Sequence, residues 1–466
     1  MRLRLYLAVC VAVATPALAQ PKPPKPQPQL AGAEDMAAFE RDLDSLFTQG
    51  GLTADQAATR AGKVSPTVLR RAAEVEAAIA SAQAAELARV PQVSGKASYT
   101  RLSPIDPIVF GPTTIEIPEN AYVLQAQLAV PLSDYLVRFP KIIDAAKLGM
   151  QVARASKQSS EVNAGQEARL AYYEWLRARL QVLIAQRQLT QVQAVLKQVR
   201  ALAEAQRLSK ADLMRVESNE AQAEQVVNQL RNLASLREEQ LRLLIGARNE
   251  ESLTLGEDPR SNINAPALAK LDDLVARASQ NRLEFRVLDL GIAAKTKQRD
   301  AESANKLPRL SAFAQADYDN PNTRVFPQEE KFKFTWLAGV QLTWTLNDYL
   351  ISRTTDRRLA AETDQLRADR ENLLRGTRIE VLAAQQAVQL AQVSLATSQK
   401  GLAAAEEGYR VRRELLNAER ATAVELVDAE TDLTRARITA LNARVDLRVA
   451  LAQLAHALGE DVGATH

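Results

Sequence analysis

The chain has 466 residues, with 59 Lys and Arg against 56 Asp and Glu, only two His and a single Cys. That near-neutral balance is not the footprint of a nucleic-acid binder. So few imidazoles and thiols leave no basis for a zinc site, a Cys–His dyad or a Ser–His–Asp triad. Aromatics make up only 5%, and Gly and Pro number 17 and 19. A chain so poor in helix breakers, and rich in Ala, Leu, Gln, Arg and Glu, reads as long helices packed through small side chains.

The first segment is an address. Met1-Arg-Leu-Arg4 is a basic n-region, Leu5 to Ala14 an apolar h-region, and Ala17-Leu-Ala19 a small-x-small cleavage site. Residues 1–19 therefore read as a secretion signal, and cleavage after Ala19 would remove Cys10. Val9 stands before Cys10 where a lipidation site wants Gly or Ala, so Cys10 is not expected to carry lipid. Residues 20–52 form a lead-in whose Pro-rich start, Gln20-Pro-Lys-Pro-Pro-Lys-Pro-Gln-Pro-Gln29, can join neither a helix interior nor a sheet ladder. Downstream there is no apolar run long enough for a transmembrane helix, and no Gly-rich phosphate loop.

The body reads as a duplication, 53–250 and 265–459, joined by a connector at 251–264 and followed by a tail at 460–466. Val90-Pro-Gln-Val-Ser94 matches Leu307-Pro-Arg-Leu-Ser311 at an offset of 217 residues. Pro131-Leu-Ser-Asp-Tyr-Leu136 matches Thr345-Leu-Asn-Asp-Tyr-Leu350 at 214. Ser209-Lys-Ala-Asp-Leu213 matches Thr422-Ala-Val-Glu-Leu426 at 213, and Leu241 to Gly246 matches Leu454 to Gly459 at 213 again. Each unit reads helix, two strands, long helix, helix.

In the first unit, Thr53 or Ser65-Pro66 caps a helix that runs to about Arg89. Strands follow near 91–102 and 121–132, and a long helix resumes near Asp134 and reaches about Gln206. Pro140 either kinks that helix or marks its true first turn. Tyr172, Tyr173 and Trp175 on it read as interhelix packing. Ser209 opens a last helix, which ends at Gly246, a typical C′ residue. The second unit repeats the order, with a helix from about Ala265 to Lys306, strands near 308–319 and 331–346, and helices from Asp348 to about Ala418 and Thr422 to Gly459. His456, in the last of these, reads as a packed or half-exposed histidine. Each segment of roughly 70 residues would be on the order of 100 Å long at about 1.5 Å per residue.

The strands carry the functional signal. From Lys331 to Trp344 the even positions read Phe332, Phe334, Trp336, Ala338, Val340, Leu342, Trp344, against Lys331, Lys333, Thr335, Leu337, Gly339, Gln341 and Thr343 at odd ones. The other three strands alternate as well: Tyr122, Leu124, Ala126, Leu128 and Val130; Leu310, Ala312, Ala314, Ala316 and Tyr318; Val93, Gly95, Ala97 and Tyr99. Trp336 to Trp344 spans about 27 Å of strand, or roughly 20 Å of height at a barrel tilt near 40°, so the pair can sit at two interfacial aromatic girdles. Phe332, Phe334, Trp336, Val340, Leu342 and Trp344 are therefore expected to face lipid. Lys331 and Lys333 read either as solubilising lysines or as part of an inward face. Four strands cannot close a barrel, and open edges in lipid are prohibitively costly, so several chains must share one wall. Three would supply twelve strands.

Signal peptide, duplicated units, and the Pro-Leu-Ser-Asp and Thr-Leu-Asn-Asp entries to the long helices resemble the outer-membrane efflux protein (TolC) family. So does Val424-Glu-Leu-Val-Asp-Ala-Glu430, which is similar to the family's stretch after the periplasmic helix turn. The resemblance runs from about residue 53 to 459. It implies a mainly α protein with a β membrane part: a homotrimer with a 12-stranded β-barrel in outer-membrane lipid and a long α-helical coiled-coil tunnel through the periplasm. It further implies an export channel without cofactor or enzymatic activity. Its partners would be a periplasmic adaptor (membrane fusion) protein and an inner-membrane RND or ABC transporter, for small molecules or, in type I secretion, proteins.

By the same resemblance, Glu425 and Asp428 fall on the family's acidic positions at the periplasmic entrance, where three chains would stack carboxylate rings that favour cations. Arg420 is near enough to latch them, although its register departs from the family's. The helix turns, with Arg207, Ser209, Asp212 and Thr422, would meet the adaptor. Two departures stand out. Gln206 and Glu419 occupy positions where the family has Gly, and both turns look about one heptad longer. A periplasmic adaptor or a coiled-coil scaffold without a barrel is the alternative. An adaptor would have one hairpin set in abundant β modules, and a scaffold would lack the alternation from Phe332 to Trp344.

Overall fold

The computed structural model describes residues 40–115, 117–206, 209–261, 263, 269–326, 328–418 and 420–461. The signal and Pro-rich segments expected at the start, Arg207, Glu419 and the end of the tail lie outside these. The chain divides into two compact units, Met1–Leu46 and Phe47–His466. Of the first, 40–46 are described, and they are helical.

The second unit begins with strand β1 (Phe47–Leu52), paired in parallel to Leu255. Helix α1 (Ala54–Val64) and helix α2 (Pro66–Leu87) follow. Both start signals seen in the sequence are used. The Thr53 hydroxyl accepts from the Gln56 N–H while the Gln56 side chain accepts from the Thr53 N–H, a reciprocal capping box. Pro66 opens α2, where its missing N–H costs no hydrogen bond.

Strands β2 (Gln92–Arg101), β3 (Ile108–Phe110), β4 (Thr113–Ile115) and β5 (Asn120–Val130) come next. The short helix α3 (Leu132–Leu136) then leads to α4 (Phe139–Glu204). Pro140 stands in the first turn of α4, so it starts that helix and does not kink it. Helix α5 (Lys210–Ile245) ends the first repeat, with Gly246 in the left-handed conformation at φ 62°. The second repeat holds α6 (Leu271–Asn281), α7 (Leu283–Ser303), β6 (Arg309–Asn320), β7 (Lys333–Thr343), α8 (Leu346–Asn417) and α9 (Ala423–Ala457).

One helix expected from the sequence is two. Between α6 and α7 the chain turns extended at Arg282, at ψ 129°. This is the counterpart of the Ser65 break, 217 residues earlier, but without the proline that announces it there. Arg282 is buried, and its guanidinium donates to Glu380 on α8 at 2.5 Å and to Glu284 at 3.4 Å. Burial works against its charge, yet those carboxylates hold its pKa above the ordinary arginine value. The break thus rests on a tertiary partner.

Both repeats pack alike. In the first, α2 and then α1 lie along the earlier part of α4, and α5 runs back along its later part. In the second, α8 takes the place of α4. The seam is built at three- and four-residue spacing from Val381, Ala384, Val388 and Ala391 of α8 against Leu447, Ala450 and Leu454 of α9. The alternation of Val or Leu with Ala is the small-residue packing that composition implied. Links between repeats include Arg177 to Asp446 at 2.5 Å and Gln181 to Asn442 at 3.1 Å, both from α4 to α9. Tyr172, Tyr173 and Trp175 are buried edge-to-face on α4, and His456 meets Asp461 at 2.7 Å.

Candidate functional site

Two regions carry the chemistry: the sheet and the helix turns. The sheet has the order β2-β5-β6-β7 and is antiparallel throughout, so two hairpins, one from each repeat, are joined through β5 and β6. The hairpin linker is longer in the first repeat, 102–119 against 321–332, and this is where the repeat offset drifts. It carries the extra β3–β4 ladder.

Register aligns the four alternations on one face. Gly95 pairs with Ala126, Ala126 with Ala316, and Ala316 with Trp336. Because side chains alternate sides, every even apolar position from Leu124 to Leu342, together with Val93, Ala97 and Tyr99 of β2, shares that face. Phe334, Trp336, Val340, Leu342 and Trp344 are each 60–69% exposed, and Phe332 is 43% exposed. An apolar face of this extent, left open to its surroundings, is a contact surface for something apolar.

The opposite face carries the sheet's polar side chains, interspersed with Val123, Phe313 and Leu337. Asp317 is buried and accepts from Gln125 at 3.2 Å and from Gln315 at 2.8 Å. Lys333 pairs with Glu329 at 3.2 Å. The Phe313 ring covers Gly339 so closely that a Cβ there would stand 3.0 Å from it, filling the gap that glycine leaves in a strand. Among the described residues β2 and β7 each have one strand neighbour, so both edges of the sheet are open.

At the far end of the long helices are the turns. Helix α4 closes at Ala205, and Gln206 takes φ 58°, the left-handed conformation for which the resembling family uses glycine at this place. Ser209 caps α5, accepting from the Asp212 N–H at 3.1 Å. Thr422 caps α9 in the same way, accepting from the Glu425 N–H at 3.2 Å. Asp212 and Glu425 therefore sit at equivalent N3 positions, where a carboxylate also favours the helix dipole.

Glu425 and Asp428 are both exposed and lie one helical turn apart. Their side-chain partners are arginines that the sequence reading did not single out. Arg412 of α8 donates to Glu425 at 3.0 Å, and Arg215 of α5 stands 3.8 Å from Asp428. Arg420, the partner expected there, sits in the turn with its N–H donating to the Leu415 carbonyl at 2.8 Å, and Arg412 takes the place it was given beside Glu425. Arg215 is Asp428's own repeat counterpart, 213 residues earlier, but no local pattern pairs the two, and Arg412 and Glu425 lie at unequal distances from the turn. Just above, Arg437 is buried on α9. Burial pulls its pKa below the ordinary value, against the opposing pull of Glu430 and Glu406.

No metal-binding cluster is present among the described residues, and no described helix is long and apolar enough to cross a membrane.

Residues 274–460 match the family model described as outer membrane efflux protein. Among solved structures, the outer-membrane channel OprN is similar at TM-score 0.71 and 20% identity, covering 91% of this chain and 92% of that one. The Campylobacter jejuni CmeC outer membrane channel is similar at TM-score 0.71 and 12% identity, over 95% and 91%. The open state of the Neisseria gonorrhoeae MtrE outer membrane channel gives TM-score 0.67 and 15% identity, over 88% and 89%. A search of curated proteins gives no match. At such identities the structures establish the fold, and the family match covers most of the second repeat. The resemblance read from the sequence is borne out on both counts.

Proposed function

We propose, for a chain with the outer-membrane efflux protein match and the outer-membrane channel fold, that it is the channel-tunnel of a tripartite export system. It would be anchored in the outer membrane with its helices reaching into the periplasm. The observation that carries this is the sheet: one continuous exposed apolar face, an opposite face that carries the polar side chains, and two open edges. In hydrocarbon an unpaired edge costs several kcal/mol per group by order of magnitude, so the edges must pair with further copies of the chain.

The helices support the same assembly. Val226, Leu233, Leu236 and Leu243 form an exposed stripe on α5, away from its buried seam. Ile379, Leu382, Leu390 and Val393 form another on α8. These are the outer helices of the two hairpins, so one copy's α5 against the next copy's α8 covers both stripes while β2 meets β7. Three copies close twelve strands and six helical hairpins into a hollow tube. The polar sheet face then lines the pore, and Phe332, Phe334, Trp336, Val340, Leu342 and Trp344 face lipid.

Within that tube the turns form the periplasmic entrance. Glu425 and Asp428 are its gate carboxylates, and Arg420 belongs to the turn beside them. Arg207, Ser209, Asp212 and Thr422 form the surface for a periplasmic adaptor, beyond which stands an inner-membrane transporter of the RND or ABC type. The work is passage and not catalysis. Small molecules or secreted proteins are the cargo.

The test is fractionation of the expressed protein followed by cross-linking in detergent and planar-bilayer recording. A heat-labile trimer in the outer-membrane fraction that conducts ions is the expected result. A water-soluble periplasmic monomer would refute it and return the strands to a scaffold or adaptor.

A further inference from the structure

We infer that the entrance is a charge-balanced ring in which Arg215 and Arg412, and not the carboxylates alone, set which ions pass. This rests on the channel reading above. Carboxylates stacked alone at a constriction focus a negative potential and draw cations. Here each has a cation beside it: Arg412 Nη1 lies 3.0 Å from Glu425 Oε2, and Arg215 Nη2 lies 3.8 Å from Asp428 Oδ2.

Both separations are well inside the Debye length, about 8 Å at physiological salt, so a passing ion meets paired charges and not bare ones. The other described charges at the turns do not restore a negative excess, since Lys210 is two residues from Asp212 and Arg420 lies in the second turn.

The duplication explains the arrangement. Residues 215 and 428 are equivalent positions of the two repeats, each on the second turn of its returning helix. One is arginine and the other aspartate. Six such positions in a three-chain ring therefore alternate in sign, each hairpin presenting to its neighbour the charge that neighbour lacks. Arg412 has no such twin, because its counterpart is Val199, buried in the seam between α4 and α5. Its partner is Glu425 within its own hairpin. The Arg215–Asp428 contact joins hairpins, and the Arg412–Glu425 contact joins the two arms of one.

The four side chains are about half exposed, with relative side-chain areas of 47–59%. Such pairs contribute little to stability. Their consequence lies in the field, and neutral variants should leave assembly intact.

The experiment uses the full-length trimer in planar bilayers under a KCl gradient, reading the permeability ratio of potassium to chloride from the reversal potential. Wild type should be weakly selective. Arg215→Gln with Arg412→Gln should raise the ratio several-fold, and the Arg→Lys pair should leave it near wild type. Glu425→Gln with Asp428→Asn should lower it, which reads the same balance from the other side should the glutamine variants fail to assemble. A conducting wild type already strongly selective for cations, with arginine variants that do not shift it, overturns the inference alone. A wild type that never conducts overturns the channel reading and this one with it.

Discussion

Placing arginine at Val340, and separately at its neighbour Gln341, separates a lipid-facing sheet from a water-facing one. Val340 is 69% exposed and shares the apolar face, while Gln341 points to the other side. Val340 is the midpoint between Trp336 and Trp344, the two residues placed at the interfacial girdles. At about 3.4 Å per residue and a tilt of about 40°, each girdle lies about 10 Å away along the barrel axis, so Val340 stands at mid-height. Arginine on the lipid face of a barrel costs about 2–4 kcal/mol at the midplane and about 0–1 near the interfaces. Val340→Arg should therefore cost about 2–4 kcal/mol per chain, or about 6–12 for a barrel with three copies. Gln341→Arg, in a water-filled lumen, should cost less than about 0.5 kcal/mol. Urea unfolding from lipid vesicles, followed by the loss of the heat-labile trimer band, measures both. In a soluble sheet an exposed valine is freely replaced by arginine, and the two variants would behave alike. Equal stability of the two would refute the barrel.

Three further outcomes follow from the helical part. Gly459 stands at φ 68°, and a Cβ there would lie 2.8 Å from the Arg282 backbone nitrogen, so Gly459→Ala should lower stability by at least about 1–2 kcal/mol, read as a lower denaturant midpoint. Trp175 is 1% exposed on α4, and Trp175→Ala should cost about 3–5 kcal/mol in the same assay. Burial, with Glu257 adding to it, raises the Tyr172 and Tyr173 phenols well above their ordinary range. A group whose folded pKa is raised contributes stability below its unfolded pKa, here about 10, and loses it as pH rises beyond that. The protein should therefore weaken above about pH 10, and Tyr173→Phe should flatten that decline. A stability profile unchanged up to pH 12 would contradict the burial of these rings.

What the sequence determined by itself was whatever a few neighbouring residues decide. The capping box at Thr53, the proline at position 66, and glycines 246 and 459 act locally, so their helix ends were legible. Alternation from Phe332 to Trp344 was legible because a strand sorts side chains by parity whatever lies beside it. The duplication was legible as repeated spacing. Tertiary structure decided the rest. The break at Arg282 has no local breaker and exists because Glu380, 98 residues away, receives the guanidinium. The strand order joins repeats through β5 and β6, a pairing between residues almost 200 apart that no local pattern encodes. At the entrance the acids were visible in sequence but their partners were not. Arg412 and Arg215 meet them only because two antiparallel helices return to the same height and two hairpins lie side by side.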